Sequence, residues 1–302
     1  MIARGNYYVA KDSKILLASV RFVCETGSTE GYLMTLPKLI AVDLDGTFFD
    51  DHQQVNAAKF TALLDRLDAA GGHFVAATGN SRDVVDHFLA PFVGWFDYVI
   101  QNGGQVVTKD NETLALHGLD QRQLELVKAT VEADDLAPRH GNVYSTATDG
   151  YMMRADKGQG ELYQNMVMEF PNLIFIDDLS EIPDPVIKII LNWPESEATP
   201  FMAKLNAELA GTAHVTTSGF GMIDVVAPNV NKAVGLQTLA NHYGVTFDDM
   251  MAFGDGANDI EMLQAVGQPF AMTNAAPALL EQFPQTVADN NHDGVLDTIA
   301  TF

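Results

Sequence analysis

Two aspartates stand one residue apart where the clearest pattern in the chain begins. The stretch AVDLDGTFFD, residues 41–50, places Asp43 and Asp45 directly after an apolar run and just before Gly46. Residues i and i+2 of an extended chain point the same way, so this stretch can address one cation and one ligand together. Carboxylates at close range raise one another's pKa unless a cation lies among them. A single aspartate after a strand is usually a turn or cap residue, so the hypothesis of a cation-binding site depends on further acids at the same edge.

Further polar residues follow other predicted strands. They are Thr78, Gly79, Asn80, Lys232, Asp255, Asn258 and Asp259. In open α/β sheets, ligands bind beyond the carboxyl ends of the strands, so we expect four acids, one hydroxyl and one lysine to converge at one edge. Oxygen ligands without histidine or cysteine favour Mg²⁺ over zinc, and Mg²⁺ commonly shares the phosphate oxygens of a substrate. The pattern predicts a magnesium site that receives a phosphoryl group.

The elements that must position these residues alternate between strand and helix. KLIAVDL is typical of a strand buried on both faces. The same kind of strand is predicted for four further stretches with short apolar runs, HFVAATGN, DYVIQNGG, MMAFG and PFAM. Helices are predicted between them, the first because Phe60, Leu63, Leu64 and Leu67 recur at helical spacing before Gly71. This order predicts an α/β fold with a doubly wound parallel sheet.

The alternation is interrupted in the middle of the chain. A hairpin around Asp110 and Asn111 precedes a predicted helix, QRQLELVKATVEA, and the strands VIKIILN and HVTTSGFGMIDVVA flank another at residues 197–210. We therefore predict a core formed by residues 34–116 and 219–302, with an inserted α+β domain at residues 117–218. Residues 1–33 show no sustained period, so we expect a poorly ordered N-terminal extension, with an extra hairpin as the alternative.

Composition limits the possible partners. The 302 residues carry a formal charge of −23, which disfavours nucleic acid and anionic membrane surfaces as partners. An anionic ligand would need local positive charge from a metal, a lysine or backbone N–H groups. The single cysteine, Cys24, excludes an intramolecular disulfide, and no apolar run approaches the roughly 20 residues that span a bilayer. We predict a cytoplasmic protein.

Four motifs carry a family resemblance. In order, DLDGT, ATG, NK and GDGANDIEML resemble the haloacid dehalogenase superfamily of phosphohydrolases. The insertion after QNGG is similar to that of its Cof-type members, which implies a Rossmann-like core and a large α/β cap of the C2 type. The resemblance covers residues 36–302. One departure is NVNKAV, where Asn231 and Ala233 replace the small hydroxyl residue and the glycine common in Cof-type members.

The resemblance implies a role for each motif. Asp43 would be the nucleophile that forms an aspartyl phosphate, and Asp45 the acid that protonates the leaving oxygen and then activates water. Mg²⁺ would be held by Asp43, the main-chain carbonyl of Asp45 and Asp255, with Asp259 orienting the metal's surroundings. The implied phosphate contacts are Leu44, Thr78, Gly79, Lys232 and Asn258.

Alternatives remain for the role of each residue and for the function of the whole protein. Taken singly, each aspartate fits a turn or helix cap, and Asp259 fits an early-helix acid favoured by the dipole. The leading hypothesis is a Mg²⁺-dependent phosphatase of small phosphorylated metabolites, against a phosphomutase or phosphotransferase and a non-catalytic phosphate sensor. Four polar residues beside apolar runs are candidates to face the site and select the substrate: Arg82, Asn102, Arg154 and Lys188.

Overall fold

Two β-sheets contain the strands of the described chain. The computed structural model describes residues 36–133, 141–158, 163, 166–167, 170, 172–183, 185–193, 195–219 and 221–302. One compact unit spans residues 35–302. The extension predicted at residues 1–33 lies outside the described residues.

The strands are numbered in chain order. They are β1 (Leu39–Val42), β2 (His73–Ala77), β3 (Asp97–Ile100), β4 (Gln105–Val107), β5 (Thr113–Leu116), β6 (Val143–Ser145), β7 (Gly150–Met153), β8 (Ile174–Ile176), β9 (Lys188–Asn192), β10 (His214–Gly219), β11 (Met222–Val226), β12 (Met250–Gly254) and β13 (Gln268–Ala271).

The α-helices of the described chain are numbered in the same way. They are α1 (Ala57–Ala70), α2 (Arg82–Phe88), α3 (Gln121–Glu132), α4 (Glu195–Glu208), α5 (Lys232–Tyr243), α6 (Ile260–Ala265), α7 (Pro277–Leu280) and α8 (Gly294–Ile299). None of these helices has both the length and the apolar content needed to cross a bilayer.

The first sheet has the order β13-β12-β1-β2-β3-β4-β5. The five strands from β13 to β3 run parallel, and β4 and β5 add an antiparallel hairpin after β3. All four residues of β1 are fully buried, as expected for a strand covered on both faces. The chain proceeds from β1 to one side through β2 and β3, and β12 and β13 lie on the other side. The predicted α/β class with a parallel-sheet core is confirmed.

Local sequence explains why the first helix begins and ends where it does. The Asn56 side chain accepts a hydrogen bond from the Lys59 N–H and caps the N-terminus of α1. Gly71 ends the helix in the left-handed conformation, with φ of 67°. The buried face consists of the four predicted apolar residues, Phe60, Leu63, Leu64 and Leu67. This face packs into the core of the first sheet.

The second sheet has the order β10-β11-β9-β6-β7-β8 and is antiparallel except for β7 and β8. Ile189 and Leu191 of β9 join an apolar cluster with residues of α3 and α4, including Phe201. Because side chains alternate along a strand, Lys188 and Ile190 lie on the opposite face. β11 pairs with β9 up to Val226, so this sheet extends past the boundary at residues 218 and 219 that the sequence pattern suggested.

Candidate active site

Asp43 is the first residue after β1, at the edge where the parallel strands end. Its backbone N–H donates to the carbonyl of Phe253 in β12, which fixes the strand end against its neighbour. The following residues, Leu44–Phe48, form a tight turn closed by a bond from the Phe49 N–H to the Leu44 carbonyl. Gly46 in this turn has a φ of 72°. The turn directs Asp43 and Asp45 toward the same end of the sheet.

Lys232 is the first residue of α5 and is fully buried. Its Nζ lies 2.6 Å from Asp43 Oδ1 and 2.6 Å from Asp259 Oδ1. Asn231 caps the helix by accepting from the Val234 N–H, so the lysine starts from a fixed backbone position. The predicted lysine is therefore an ammonium group held between two carboxylates.

Asp255 and Asp259 follow β12. Asp259 Oδ2 accepts hydrogen bonds from the backbone N–H groups of Asp255 and Gly256, both at 3.0 Å. Asp255 Oδ1 accepts from the Thr47 hydroxyl at 2.7 Å, which ties it to the turn after β1. Ligand oxygens of Asp43, Asp255 and Asp259 all lie within 4.8 Å of one another. Three acids from two strand ends thus form one cluster.

The charge balance of this cluster is negative. Burial raises the pKa of Asp43 well above its usual value; Lys232 opposes this, while Asp259 and Asp255 reinforce it. Burial and the charge of Asp259 raise the pKa of Asp255 to about 6. Burial alone would lower the pKa of Lys232, but Asp259 and Asp43 outweigh it and raise that pKa. The cluster has three carboxyl groups and one ammonium group, and its possible metal ligands are all oxygens. Such a set suits a hard divalent cation such as Mg²⁺.

The end of β2 forms the other side of the cluster. Thr78 is buried, and its Oγ1 accepts from the Asn80 N–H at 3.1 Å. The Asn80 side chain donates to Asp45 Oδ2 at 2.6 Å, so it holds the second aspartate of the opening motif. The Gly79 carbonyl accepts from Lys188 Nζ at 2.8 Å. The loop after β2 is therefore bound both to the turn after β1 and to the second sheet.

Asn102 connects two of these loops. Its backbone N–H donates to the Thr78 carbonyl, and its φ of 56° lies in the left-handed region. Its side-chain Oδ1 accepts from Asn258 Nδ2 at 3.0 Å, and its Nδ2 donates to Asp224 Oδ2 at 2.8 Å. Asn258 thus reaches the loop after β2 through Asn102.

The structure brings the predicted residues to one edge in two groups. Asp43, Lys232, Asp255 and Asp259 form the charged cluster itself. The other predicted residues lie on the loops that surround it: Leu44, Asp45, Thr78, Gly79 and Asn258. The side chain of Asp45 is not part of the acidic cluster; its Oδ2 accepts from Asn80 instead.

Of the four candidates for substrate selection, two contact this region. Asn102 and Lys188 do so as described. Arg82 instead donates to Asp86 and Asn111, and Arg154 binds Asp177 and the Phe175 carbonyl with its side chain about half exposed. The structure therefore shows both arginines engaged with other partners.

Three residues of the site were not assigned roles from the sequence. Thr47 could have been identified because it is the threonine of the DLDGT motif. Asn80 could have been identified because it lies two residues after Thr78, at the same strand end. Asp224 is fully buried in β11. Its signal is a single acid inside an otherwise apolar run, IDVVA.

Comparisons with known proteins show the family of this chain. A model of the family described as haloacid dehalogenase-like hydrolase matches residues 40–299. The 5-amino-6-(5-phospho-D-ribitylamino)uracil phosphatase YbjI of Escherichia coli (strain K12) is 30% identical over 275 residues, which cover 87% of this chain and 94% of that protein. The HMP-PP phosphatase of Cronobacter sakazakii (strain ATCC BAA-894) is 29% identical over 254 residues, covering 82% and 89%.

A solved structure shows the same architecture. The crystal structure of SMU.1108c from Streptococcus mutans UA159 superposes with a TM-score of 0.79 at 28% identity, covering 88% of this chain and 98% of that one. The match therefore includes both sheets. With the family match over residues 40–299, it confirms the resemblance inferred from the motifs. The chain belongs to the haloacid dehalogenase-like hydrolases, and within them it is a phosphoric monoester hydrolase.

Proposed function

We propose that the chain is a Mg²⁺-dependent phosphatase of small phosphorylated metabolites that acts through an aspartyl phosphate on Asp43. The observation that carries the proposal is the Asp43 carboxylate, which lies 2.6 Å from a buried lysine and within 4.8 Å of two further acids. The names of the two relatives, a phosphatase of a phosphoribitylaminouracil and an HMP-PP phosphatase, support small phosphorylated substrates.

The acidic cluster fits a magnesium ion. We propose that Asp43, the main-chain carbonyl of Asp45 and Asp255 hold it, and that Asp259 orients its surroundings. Asp259 suits a supporting role because both of its oxygens already have partners, Lys232 on one side and two backbone N–H groups on the other. Bound Mg²⁺ would offset the charge of the carboxylates and stabilise negative charge on the phosphoryl oxygens.

In the first step, a carboxylate oxygen of Asp43 attacks phosphorus and the ester P–O bond breaks. Lys232 orients this carboxylate and, by its charge, favours the ionised form that acts as nucleophile. Asp45 gives its proton to the leaving oxygen. In the second step Asp45 takes a proton from water, which attacks the aspartyl phosphate, releases orthophosphate and restores Asp43. The Asn80 amide, 2.6 Å from Asp45 Oδ2, holds the acid in place for both steps.

Magnitudes indicate where most of the acceleration originates. A positioned acid contributes about 10²- to 10⁴-fold, whereas enzymes accelerate phosphate-monoester hydrolysis by up to about 10²¹-fold. Asp45 therefore supplies a minor part, and charge stabilisation with alignment supplies most. The proposed phosphate contacts are the backbone of Leu44 with Thr78, Gly79, Lys232 and Asn258.

The test is a panel of phosphorylated metabolites, including phosphates of ribitylaminouracil and HMP type, assayed with Mg²⁺ and with a chelator. We expect Mg²⁺-dependent release of orthophosphate, and Asp43→Asn should lower kcat by about 10⁴-fold or more because the nucleophile is lost. Asp83→Asn, at an exposed acid in the first turn of α2, is the matched control and should leave kcat unchanged.

The outcomes separate the alternatives. Transfer of the phosphoryl group to a sugar hydroxyl with little free orthophosphate would identify a mutase or phosphotransferase. Full turnover in Asp43→Asn would contradict the aspartyl-phosphate route. Phosphate binding without turnover of any compound would leave a phosphate sensor as the function.

Two further assignments extend this proposal. We assign the first sheet and its helices to a catalytic core and the second sheet with α3 and α4 to a cap. Because β11 pairs with β9 up to Val226, we place the second boundary after Val226 instead of after residue 218, so that the cap spans residues 117–226 and the described core residues 36–116 and 227–302. The separate apolar clusters of the two sheets support this division. The cytoplasm and the exclusion of nucleic acid remain predictions that rest on the single cysteine and the charge of −23.

A further inference from the structure

A buried ion pair lies on the face of the second sheet opposite α3 and α4. Lys188 in β9 is 4% exposed and Asp224 in β11 is fully buried. Lys188 pairs with Val226 and Ile190 pairs with Asp224, so the two charged residues are diagonal neighbours on one face. Lys188 Nζ lies 3.3 Å from both carboxylate oxygens of Asp224.

Stability alone gives little reason for this pair. Desolvation of two charges offsets most of their attraction, and well-packed apolar residues of similar volume commonly serve a fold equally well. The neighbours of Lys188 along β9, Ile189, Ile190 and Leu191, are all apolar and buried. Stability of the sheet therefore does not explain why this strand contains a buried charged residue, and the contacts of the pair point to a further role.

The contacts of the pair lead to the proposed phosphate site. Lys188 donates to the Gly79 carbonyl at 2.8 Å, and Asp224 accepts from Asn102 Nδ2 at 2.8 Å. Gly79 and Asn258 are proposed phosphate contacts, and Asn258 is bound by Asn102. The second sheet thus reaches both contacts through two buried hydrogen bonds.

The carboxylate also determines how two amides are oriented. An ionised carboxylate only accepts hydrogen bonds, so Asn102 must turn its NH₂ group toward Asp224. Its carbonyl oxygen then faces Asn258 and accepts from the Asn258 NH₂ group. One N–H of Asn258 is used in this way, and its second N–H remains to donate to a phosphate oxygen. The carboxylate of Asp224 therefore fixes the direction of each hydrogen bond between the second sheet and the proposed phosphate site.

We propose that Lys188 and Asp224 are positioning residues that set the geometry of the phosphate-binding loops through Gly79 and Asn102. The inference rests on the proposed phosphatase function and deepens it. Neither residue touches the reacting atoms. The pair makes docking of the second sheet a condition for a correctly formed phosphate site.

The test uses two double variants of the full chain. Lys188→Met/Asp224→Val replaces the pair with apolar residues and removes both contacts, whereas Lys188→Met/Asp224→Asn keeps an acceptor for Asn102. Ile189→Ala is the matched control, since it weakens packing of the same strand on the opposite face. Each protein is assayed with Mg²⁺ for kcat, KM and the inhibition constant of orthophosphate, at a temperature where its melting curve shows it folded.

For Lys188→Met/Asp224→Val we expect kcat/KM to fall about 10- to 100-fold, with a parallel rise in the orthophosphate inhibition constant, because misplaced phosphate contacts have costs of this order. The asparagine variant should recover part of the loss, and Ile189→Ala should retain parental constants. If the apolar variant does not fold, the asparagine variant still has to show weaker orthophosphate inhibition than the parent and Ile189→Ala.

The possible failures are distinguishable. A parent that turns over substrate and is inhibited by orthophosphate, with double variants that keep both constants, overturns this inference alone. A loss of the same size in Ile189→Ala overturns it as well, because the pair would then act only through stability. If the parent shows no turnover, orthophosphate binding by calorimetry replaces the assay; a parent that does not bind it overturns the proposed function and this inference together.

Discussion

At the scale of single residues, the contacts of Asp259 bear on two roles that the sequence leaves open. Its position early in GDGANDIEML fits either a metal-site acid or an acid that favours a helix N-terminus. The structure gives its two oxygens separate partners. Oδ1 binds the buried Lys232, and Oδ2 accepts from the N–H groups of Asp255 and Gly256. It therefore holds the lysine and the loop after β12 in a fixed relation, which a cap alone does not require.

Gly46 allows the turn after β1 to approach Asp255. A Cβ atom at this position would lie 2.6 Å from Asp255 Oδ2, and the φ of 72° disfavours any L side chain. We predict that Gly46→Ala displaces the Asp255 carboxylate and lowers kcat/KM by about 100-fold, with a loss of about 1–2 kcal/mol in the free energy of unfolding. Steady-state kinetics and urea denaturation measure the two effects.

The control is Gly71→Ala at the end of α1. Gly71 has a similar φ of 67°, but a Cβ there would meet nothing within 4 Å. It should therefore show the loss of stability without the loss of activity. Equal kinetics in the two variants would show that contact with Asp255 does not govern the site.

At the scale of elements, α5 determines where Lys232 lies. Gly235 stands three residues further along this helix, about one turn, and faces β3. A Cβ at Gly235 would lie 2.4 Å from Val99 Cγ1 and 3.3 Å from the Gly103 Cα atom. The helix can approach the sheet closely only because this side chain is absent. Since Lys232 is the first residue of α5, helix position and lysine position are coupled.

We predict that Gly235→Ala moves α5 away from β3 and lowers kcat at least about 10-fold by displacing Lys232, with an overpacking cost of about 1–3 kcal/mol. Val99→Ala/Gly235→Ala removes the Cγ1 atom that would collide and should recover a large part of both losses. Kinetics and thermal melting of the two variants and of Val99→Ala alone decide the matter. A double variant no better than Gly235→Ala would contradict the steric explanation.

Element length explains which parts of the fold the sequence predicts. The helix with Phe60, Leu63, Leu64 and Leu67 has 14 residues, enough to show the helical period. LIAV has only four residues, and it is recognised instead as a continuous apolar run that ends at the acidic motif. β6, β7 and β8 have three or four residues each, too few to show a period, and the sequence pattern does not identify them. Contacts between sheets, such as Asn102 with Asp224, join residues 122 positions apart, so no local pattern predicts them.

At the scale of the whole molecule, the charge of −23 and the acidic cluster act together. Like charges repel in the ion-free protein, so the proposed divalent cation would stabilise the fold both by general screening and by binding at the site. Substitution of single acids separates screening from binding at the site. Removal of an acid outside the cluster changes net charge alone, whereas removal of Asp255 also removes a proposed ligand.

We predict that Mg²⁺ at about 100 times its dissociation constant stabilises the protein by about 2.7 kcal/mol, which raises Tm by roughly 5 °C or more. Asp248→Asn, at an exposed acid, should keep this response, and Asp255→Asn should lose it. Because burial and Asp259 raise the pKa of Asp255 to about 6, its ionised form destabilises the ion-free fold at pH 8. Without Mg²⁺, Asp255→Asn should therefore have a higher Tm than the parent. A control with NaCl at the ionic strength of the Mg²⁺ sample measures how much of the stabilisation comes from screening. An equal Mg²⁺ response in the two variants would place the stabilising ion outside this cluster.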